Sequence, residues 1–203
     1  MTQSSLPDRF GSIDIYVFDQ LLKERIVRGD RILDAGCGSG RNVHYPLREG
    51  FDVTVTDVDS RAVAKCVRLA EELGHPLPPG KAQVAGLDAL PFADAAFDVV
   101  LCNTVLHFAT DDAQFEGWVA ELFRVLRAGG LFFARLAGSP GIENQVRWLD
   151  GRRALLPDGS ERYLTDETQL MQLTDTYGRL LDPLKTTIVH GQRAMTTWVV
   201  RKS

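Results

Sequence analysis

The sequence predicts an α/β fold in which helices cover both faces of a mostly parallel sheet. Three observations carry this. In the stretch RILDAGCGSG, Arg31 to Gly40, a short apolar strand stops at three alternating glycines and feeds a helical run. Apolar, β-branched runs then alternate with helical runs as far as Arg135. One of them, Phe97 to Leu101, reads as a strand buried on both faces, as the strands of a parallel sheet are.

The elements follow in order. Asp14 to Val27 carries Ile15, Phe18, Leu21, Leu22 and Ile26 at helical spacing, so an amphipathic helix is expected there, ended by Gly29 and Asp30. The polar segment before it, Asp8 to Ser12, reads as a loop. Residues 1–29 are thus a helix packed on the sheet edge or a lid over a ligand, with Tyr16 the lid residue of choice. After the glycines, Asn42 to Glu49 is the first crossover helix, and FDVTVT, Phe51 to Thr56, alternates as the second strand. Arg61 to Leu73 is a long helix, Lys81 to Ala85 the third strand and Phe97 to Leu101 the fourth. Asp111 to Val125 carries an aromatic stripe (Phe115, Trp118, Phe123) that belongs to the core. Gly129 and Gly130 break it before a fifth strand, Leu131 to Arg135. Residues 136–164 read as irregular, a lid or a substrate-binding insert. Thr165 caps a helix through Tyr177, and Lys185 to Val189 with Ala194 to Val200 form a hairpin around HGQR.

Composition narrows the function. The 203 residues, 44% hydrophobic and 25% charged, suit one α/β domain over 1–203. A net charge of -4 gives no footprint for nucleic acid or an acidic membrane surface. No apolar run reaches bilayer-spanning length, and MTQSSLPDRF lacks the layout of a secretory signal, so a cytoplasmic protein is expected. Cys37, Cys66 and Cys102 are scattered, which fits reduced thiols rather than disulfides or a metal site, and no metal is expected.

The glycine turn brings backbone N–H groups and a helix N-terminus to a ligand. Twenty-one residues separate Gly36 from Asp57, close to the roughly 20-residue spacing that sets an acid on a ribose diol. The alternative for Asp57 is a cap on the following helix. A dinucleotide fingerprint needs glycine where Arg41 stands, and no phosphate-binding Gly-Lys-Ser/Thr follows. One acid after strand two and another, Asp88, after strand three suit a nucleoside without phosphate.

LDAGCGSG, VTVTDVD, GLDALPFADAAFDVV and ELFRVLRAGGLFF, in this order between Arg31 and Arg135, resemble the class I S-adenosylmethionine-dependent methyltransferases of small-molecule type. The resemblance implies a Rossmann-like, seven-stranded, mostly parallel sheet with a C-terminal antiparallel hairpin, and S-adenosyl-L-methionine as cofactor. It sets Asp34, Gly36 and Gly38 at the methionine part, Asp57 at the ribose and Val58 beside the adenine. Asp88 and the backbone of Ala89 fall at the adenine amino group, and Asn103 near the methyl sulfonium. Ala128 stands where the family usually has proline, which alters turn stiffness. NTVL after strand four lacks the signature of amino-directed nucleic-acid enzymes, and paired cysteines of an arsenic type are missing. The short chain looks more like tellurite-resistance and other small-molecule methyltransferases.

Methyl transfer from a sulfonium needs alignment first, and a base only for a protonated nucleophile. His107, four residues beyond Asn103, is the candidate base; its alternative is a packed, hydrogen-bonded histidine. His44 and His190 read as surface or packing residues. Arg147, Arg152, Arg153 and Arg162 either bind an anionic small-molecule acceptor or pair with Asp150, Asp158 and Glu161. Arg41 either meets the cofactor carboxylate or ties down the N-terminal segment. Two rival readings are a non-catalytic cofactor-binding or regulatory subunit and an NAD-dependent oxidoreductase; Arg41 and Asp88 argue against the second.

Overall fold

The computed structural model describes residues 5–203; residues 1–4 of the N-terminal stretch lie outside it. Two short helices, α1 (Leu6–Phe10) and α2 (Ile15–Leu22), precede β1 (Arg31–Ala35). The alternating part follows: α3 (His44–Arg48), β2 (Asp52–Asp57), α4 (Ser60–Glu72), β3 (Ala82–Val84), β4 (Phe97–Asn103), α5 (Asp112–Val125) and β5 (Leu126–Gly138). Then come β6 (Arg147–Asp150), β7 (Arg153–Leu155), β8 (Glu161–Tyr163), α6 (Glu167–Tyr177), β9 (Gly178–Leu180), β10 (Lys185–Val189) and β11 (Arg193–Lys202). No helix among the described residues is long and apolar enough to cross a membrane.

The main sheet runs β10-β11-β5-β4-β1-β2-β3. β1 to β5 are parallel to one another, and β11 and β10 join antiparallel. This is the expected seven-stranded path. An eighth strand, β9, extends it by pairing with the end of β11, and three residues were too few to show in the sequence. The strand order reverses beside β1, which has β2 on one side and β4 on the other. In open parallel sheets ligands bind at the carboxyl ends of strands flanking such a point.

Paired residues of neighbouring strands share a face. Ile32, Val53 and Val99 are register partners, and Ile32 and Val99 pack with Val17 of α2. Val53 and Val55 pack with Cys66 and Ala70 of α4. The opposite face, through Leu33, Val100, Phe132 and Trp198, is covered by Phe115, Val119, Leu122 and Phe123 of α5 and Leu170 of α6. Both faces are therefore dry, which is why these strands read as apolar. Aspartates cap α2, α4, α5 and α6 by accepting N–H bonds of 2.8–2.9 Å.

Five local expectations need correction. The segment around Asp8 is helical, started by a Ser5–Asp8 capping box, and its Phe10 ring stacks on Tyr45 of α3 at 5.0 Å. The helix from Asp14 stops at Leu22, because Glu24 takes φ +53° and Lys23 and Arg25 turn to Asp182 at 2.9 and 2.7 Å. Ile26 is still buried, so its spacing reported burial rather than helix. The Gly129–Gly130 pair lies inside β5 as a register shift instead of preceding it; a Cβ at Gly130 would sit 2.9 Å from Asp98 O. α6 is capped by Asp166, not Thr165. Residues 136–164 hold a three-stranded antiparallel sheet, β6-β7-β8. Its strands are three or four residues long and β6 is wholly exposed, so no alternation marks them. Ala154, Leu156 and Leu164 pack it on Ala137 and Met195, at the carboxyl end of β5.

Candidate active site

The glycine turn follows β1 directly. Gly36 has φ +83°, and a Cβ there would collide with Cγ2 of Val105 from the loop after β4. The Gly36 and Cys37 N–H groups both donate to Thr56 O, at 2.8 and 2.9 Å, which locks the turn to β2. Gly38 has φ +53° and nothing within 4 Å of the position its Cβ would take, so its exposed side is open for a ligand. Its N–H donates to Asp57 Oδ2 at 2.9 Å. Asp57 Oδ1 accepts from the Asp59 N–H, also at 2.9 Å, and Asp59 is the cap of α4. Asp57 is thus fixed in orientation without being the cap, and keeps lone pairs for a diol.

Together these residues line a cleft of about 390 Å³ with Val58, Leu87 and Phe108. Behind the turn, Asp34 is 1% exposed, and neither carboxylate oxygen has a hydrogen-bond partner among the described residues. Burial, with the nearby charge of Asp57, pushes its pKa up to about 7 despite the opposing pull of Arg41. A buried carboxyl without a donor is costly unless a ligand supplies one. Asp88 and Ala89 are exposed residues beside this cleft rather than in its wall. Asp88 Oδ1 accepts from Trp118 Nε1 at 2.8 Å, and its Oδ2 lies by Gly86, which does line the cleft. Trp118 of the aromatic stripe therefore faces this acid as well as the core.

A second cavity of about 390 Å³ adjoins the first, and Thr104 lines both. Thr104 has φ +65°, a left-handed conformation that costs a β-branched residue about 1–3 kcal/mol. It is held there by its N–H on Arg135 O (2.7 Å) and its hydroxyl on Asn103 O (2.5 Å). The second cavity is walled by Arg41, Arg135, Arg162 and Arg193, with His107 and Asp158 between them.

A buried aspartate organises two of these arginines. Asp14 accepts from Arg135 at 3.1 Å through Oδ2, which also lies 3.7 Å from Arg41, while its Oδ1 caps α2. Arg41 in turn donates to Asn103 Oδ1 at 3.0 Å. Arg41 and Asn103 thus form a link between the N-terminal segment and the end of β4, with Asn103 Nδ2 buried and without a partner among the described residues. Tyr16 is in this neighbourhood but differently engaged: its hydroxyl meets Thr187 Oγ1 at 2.9 Å, and Arg135 lies over its ring.

His107 is nearly buried, and its Nδ1 accepts from the Ala137 N–H at 3.2 Å. Burial, followed by the charges of Arg162 and Arg193, pushes its pKa down to about 4. The ring is therefore neutral near pH 7, and with Nδ1 accepting, its proton sits on Nε2. Of the four arginines read in residues 147–162, only Arg162 reaches the cavity, where it also lies 4.8 Å from the Phe108 ring centroid. Arg152 pairs with Asp166 at 2.8 Å, Arg153 with Glu161, and Arg147 is exposed. Asp14, Thr104, Arg135 and Arg193 escaped the sequence reading. Arg135 alone carried a signal, a charge closing the buried run LFFA.

The methyltransferase-domain family matches residues 33–134, half of the chain, from within β1 to within β5. The chain belongs to this family. The resemblance read from its motifs is thereby borne out. The chain is 33% identical over 119 residues to a malonyl-[acyl-carrier protein] O-methyltransferase of Enterobacter lignolyticus, covering 58% of this chain and 43% of that protein. It is 32% identical over 127 residues to a fatty-acid O-methyltransferase of Mycolicibacterium smegmatis, covering 62% and 43%. It thus spans less than half the length of these two curated relatives. The fold is similar to that of the Burkholderia thailandensis 1,6-didemethyltoxoflavin-N1-methyltransferase, a structure with bound 1,6-didemethyltoxoflavin and S-adenosylhomocysteine. That match has a TM-score of 0.71 at 21% identity and covers 96% of this chain and 79% of the other.

Proposed function

We propose that this methyltransferase transfers a methyl group from S-adenosylmethionine to an anionic small molecule in the cytoplasm, by in-line displacement. The observation that carries the reading is the pair of cavities joined at Thr104, one built of glycine backbone, apolar walls and Asp57 and the other of arginines. The residues of the first fit the cofactor. Asp34, buried and without a donor, suits the ammonium of the methionine part; Asp57 suits the ribose hydroxyls; Val58, Leu87 and Phe108 give apolar walls for the adenine. Asp88, oriented by Trp118, stands at the rim for the adenine amino group.

Bound there, the cofactor supplies an electrophilic methyl group on a positively charged sulfur. The chain's own work is to bring the acceptor past Thr104 in line with it, a contribution worth up to about 7–11 kcal/mol. Among the described residues, the second cavity brings four guanidinium groups against one wall carboxylate, Asp158, which supports an anionic acceptor. The acceptors for which the two curated relatives are named, malonyl-[acyl-carrier protein] and fatty acids, also carry carboxyl groups, in keeping with this reading. Titration calorimetry with S-adenosylhomocysteine tests the cofactor half. Binding is expected, weakened at least thirtyfold (about 2 kcal/mol) in Asp57→Ala; absence of binding at millimolar ligand would overturn it.

A further inference from the structure

The second cavity carries more than a preference for anions. We infer that the acceptor is a small diacid that enters as its dianion, is methylated on one carboxylate without a general base, and is anchored by the other through Arg162 and Arg193. This rests on the methyltransferase reading above.

Charge is the first argument. Beside the junction, Arg41 and Arg135 share one carboxylate, the buried Asp14. The other pair of the wall, Arg162 and Arg193, has Asp158 beside it, 4.0 Å from Arg193 and with no closer cation partner among the described residues. Arg162 has no carboxylate within ion-pair reach among the described residues; it donates to the Glu161 carbonyl at 2.7 Å. Each pair of arginines therefore carries one positive charge more than its carboxylate balances. A molecule with one negative charge at each end matches that pattern, whereas a monoanion leaves half of it unmet.

The second argument is the absence of a working base among the described residues of this wall. His107 is neutral and presents Nε2–H, because the Ala137 N–H occupies Nδ1; it donates and does not accept a proton. Asp158 accepts the Ser160 N–H at 2.9 Å and hydroxyl at 2.5 Å, and these bonds hold its pKa below the ordinary carboxylate value. An alcohol or ammonium acceptor would find nothing to take its proton. A carboxylate arrives ionised. One of its oxygen lone pairs forms the O–CH₃ bond as the C–S bond breaks, the bonding pair stays on sulfur, and no proton moves.

The third argument separates the two halves. Attack of a carboxylate on a sulfonium cancels charge, so strong donors on the attacking oxygen stabilise the ground state more than the transition state. Arg41 and Arg135, which bond Asn103 and the Thr104 backbone beside the junction, are already tied to Asp14. The less committed pair, Arg162 and Arg193, is the one placed to hold a group that does not react.

The test uses the full chain with methyl-tritiated S-adenosylmethionine and three acceptor sets: glutarate and adipate, butyrate and hexanoate, and the alcohols and amines of matching length. The diacids are expected to give monomethyl esters, identified by mass and by release in alkali, with kcat/KM at least tenfold above the monoacids. Arg162→Met and Arg193→Met should each raise KM for the diacid tenfold or more and close the gap to the monoacids, and Arg193→Met should leave S-adenosylhomocysteine affinity within twofold. Equal turnover of diacids and monoacids, preferred methylation of the alcohols or amines, no turnover of any acid, or unchanged KM in both variants would overturn the inference. Affinity for S-adenosylhomocysteine, measured on the same preparations, separates this failure from failure of the cofactor reading itself.

Discussion

The two cavities that meet at Thr104 have the same volume but opposite construction. The cofactor cleft is made of strand ends and backbone: Gly36 after β1, Asp57 and Val58 at the end of β2, Gly86 and Leu87 after β3. Its groups are placed by the parallel register itself, since Ala35 pairs with Thr56 and the next N–H groups bond Thr56 O. The arginine cavity is made of long side chains from remote parts of the chain: the turn before α3, the end of β5, strand β8 and the start of β11. Backbone walls are common to any acceptor. Side-chain walls are free to change with it, and this division is how one fold serves many substrates.

Two glycine substitutions break the comparison most severely on the cofactor side. In Gly36→Ala the new Cβ collides with Val105 at a φ of +83°. Overpacking and left-handed strain cost about 1–3 kcal/mol each, so a destabilisation of up to about 6 kcal/mol is expected, with loss of S-adenosylhomocysteine binding. Gly38→Ala keeps only the strain, because its Cβ points into open space. It should unfold within about 1–2 kcal/mol of wild type yet bind the ligand at least tenfold more weakly. Thermal melting and calorimetry on both proteins check this; equal melting temperatures for the two variants would show that Val105 yields.

That same division governs what the letters disclosed. The glycines, Asp34, Asp57 and the order of the main strands stood in the sequence, because a parallel register fixes them within a few residues of an apolar run. The arginine cavity did not. Arg193 sits in the HGQR turn and Arg162 among other arginines, and nothing local tells Arg162, which faces the cavity, from Arg153, which pairs with Glu161. Asp14 looked like an ordinary helix start and is one; its second oxygen, on Arg135, is a contact over 121 residues. The β6-β7-β8 sheet was hidden for the same reason, since its burial comes from Ala137 and Met195 rather than from its own alternation.

One titrating group on each side sharpens the contrast. Asp34 has its pKa raised to about 7 in the folded chain, so the folded state holds a proton that the unfolded state loses near the ordinary value of 3.8. Its contribution is complete below pH 4 and is lost as pH rises to about 7, up to about 4 kcal/mol. His107 is lowered to about 4 from 6.5, so its contribution is complete above pH 6.5 and is lost as pH falls through 4, up to about 3 kcal/mol. In the ligand-free wild type the two oppose each other between pH 4 and 6.5. Urea midpoints should fall with rising pH in His107→Asn and rise in Asp34→Asn. S-adenosylhomocysteine affinity should increase up to about pH 7, since its ammonium favours ionised Asp34; a pH-independent affinity would remove that contact.

The smallest expected effect falls at the rim of the cofactor cleft, where a side chain rather than backbone does the placing. Trp118 donates to Asp88 at 2.8 Å, and Asp88 is exposed, so water replaces the lost donor in Trp118→Phe. The stability cost is then about 0.5–1 kcal/mol, the net worth of one hydrogen bond. If Asp88 must be held in place to meet the adenine amino group, S-adenosylhomocysteine should bind threefold to fivefold more weakly, while KM for the acceptor stays the same. A matching loss in Asp88→Asn, with no further loss in the double variant, would mark the two residues as one unit. Full additivity would show instead that Trp118 acts through packing against the core below it.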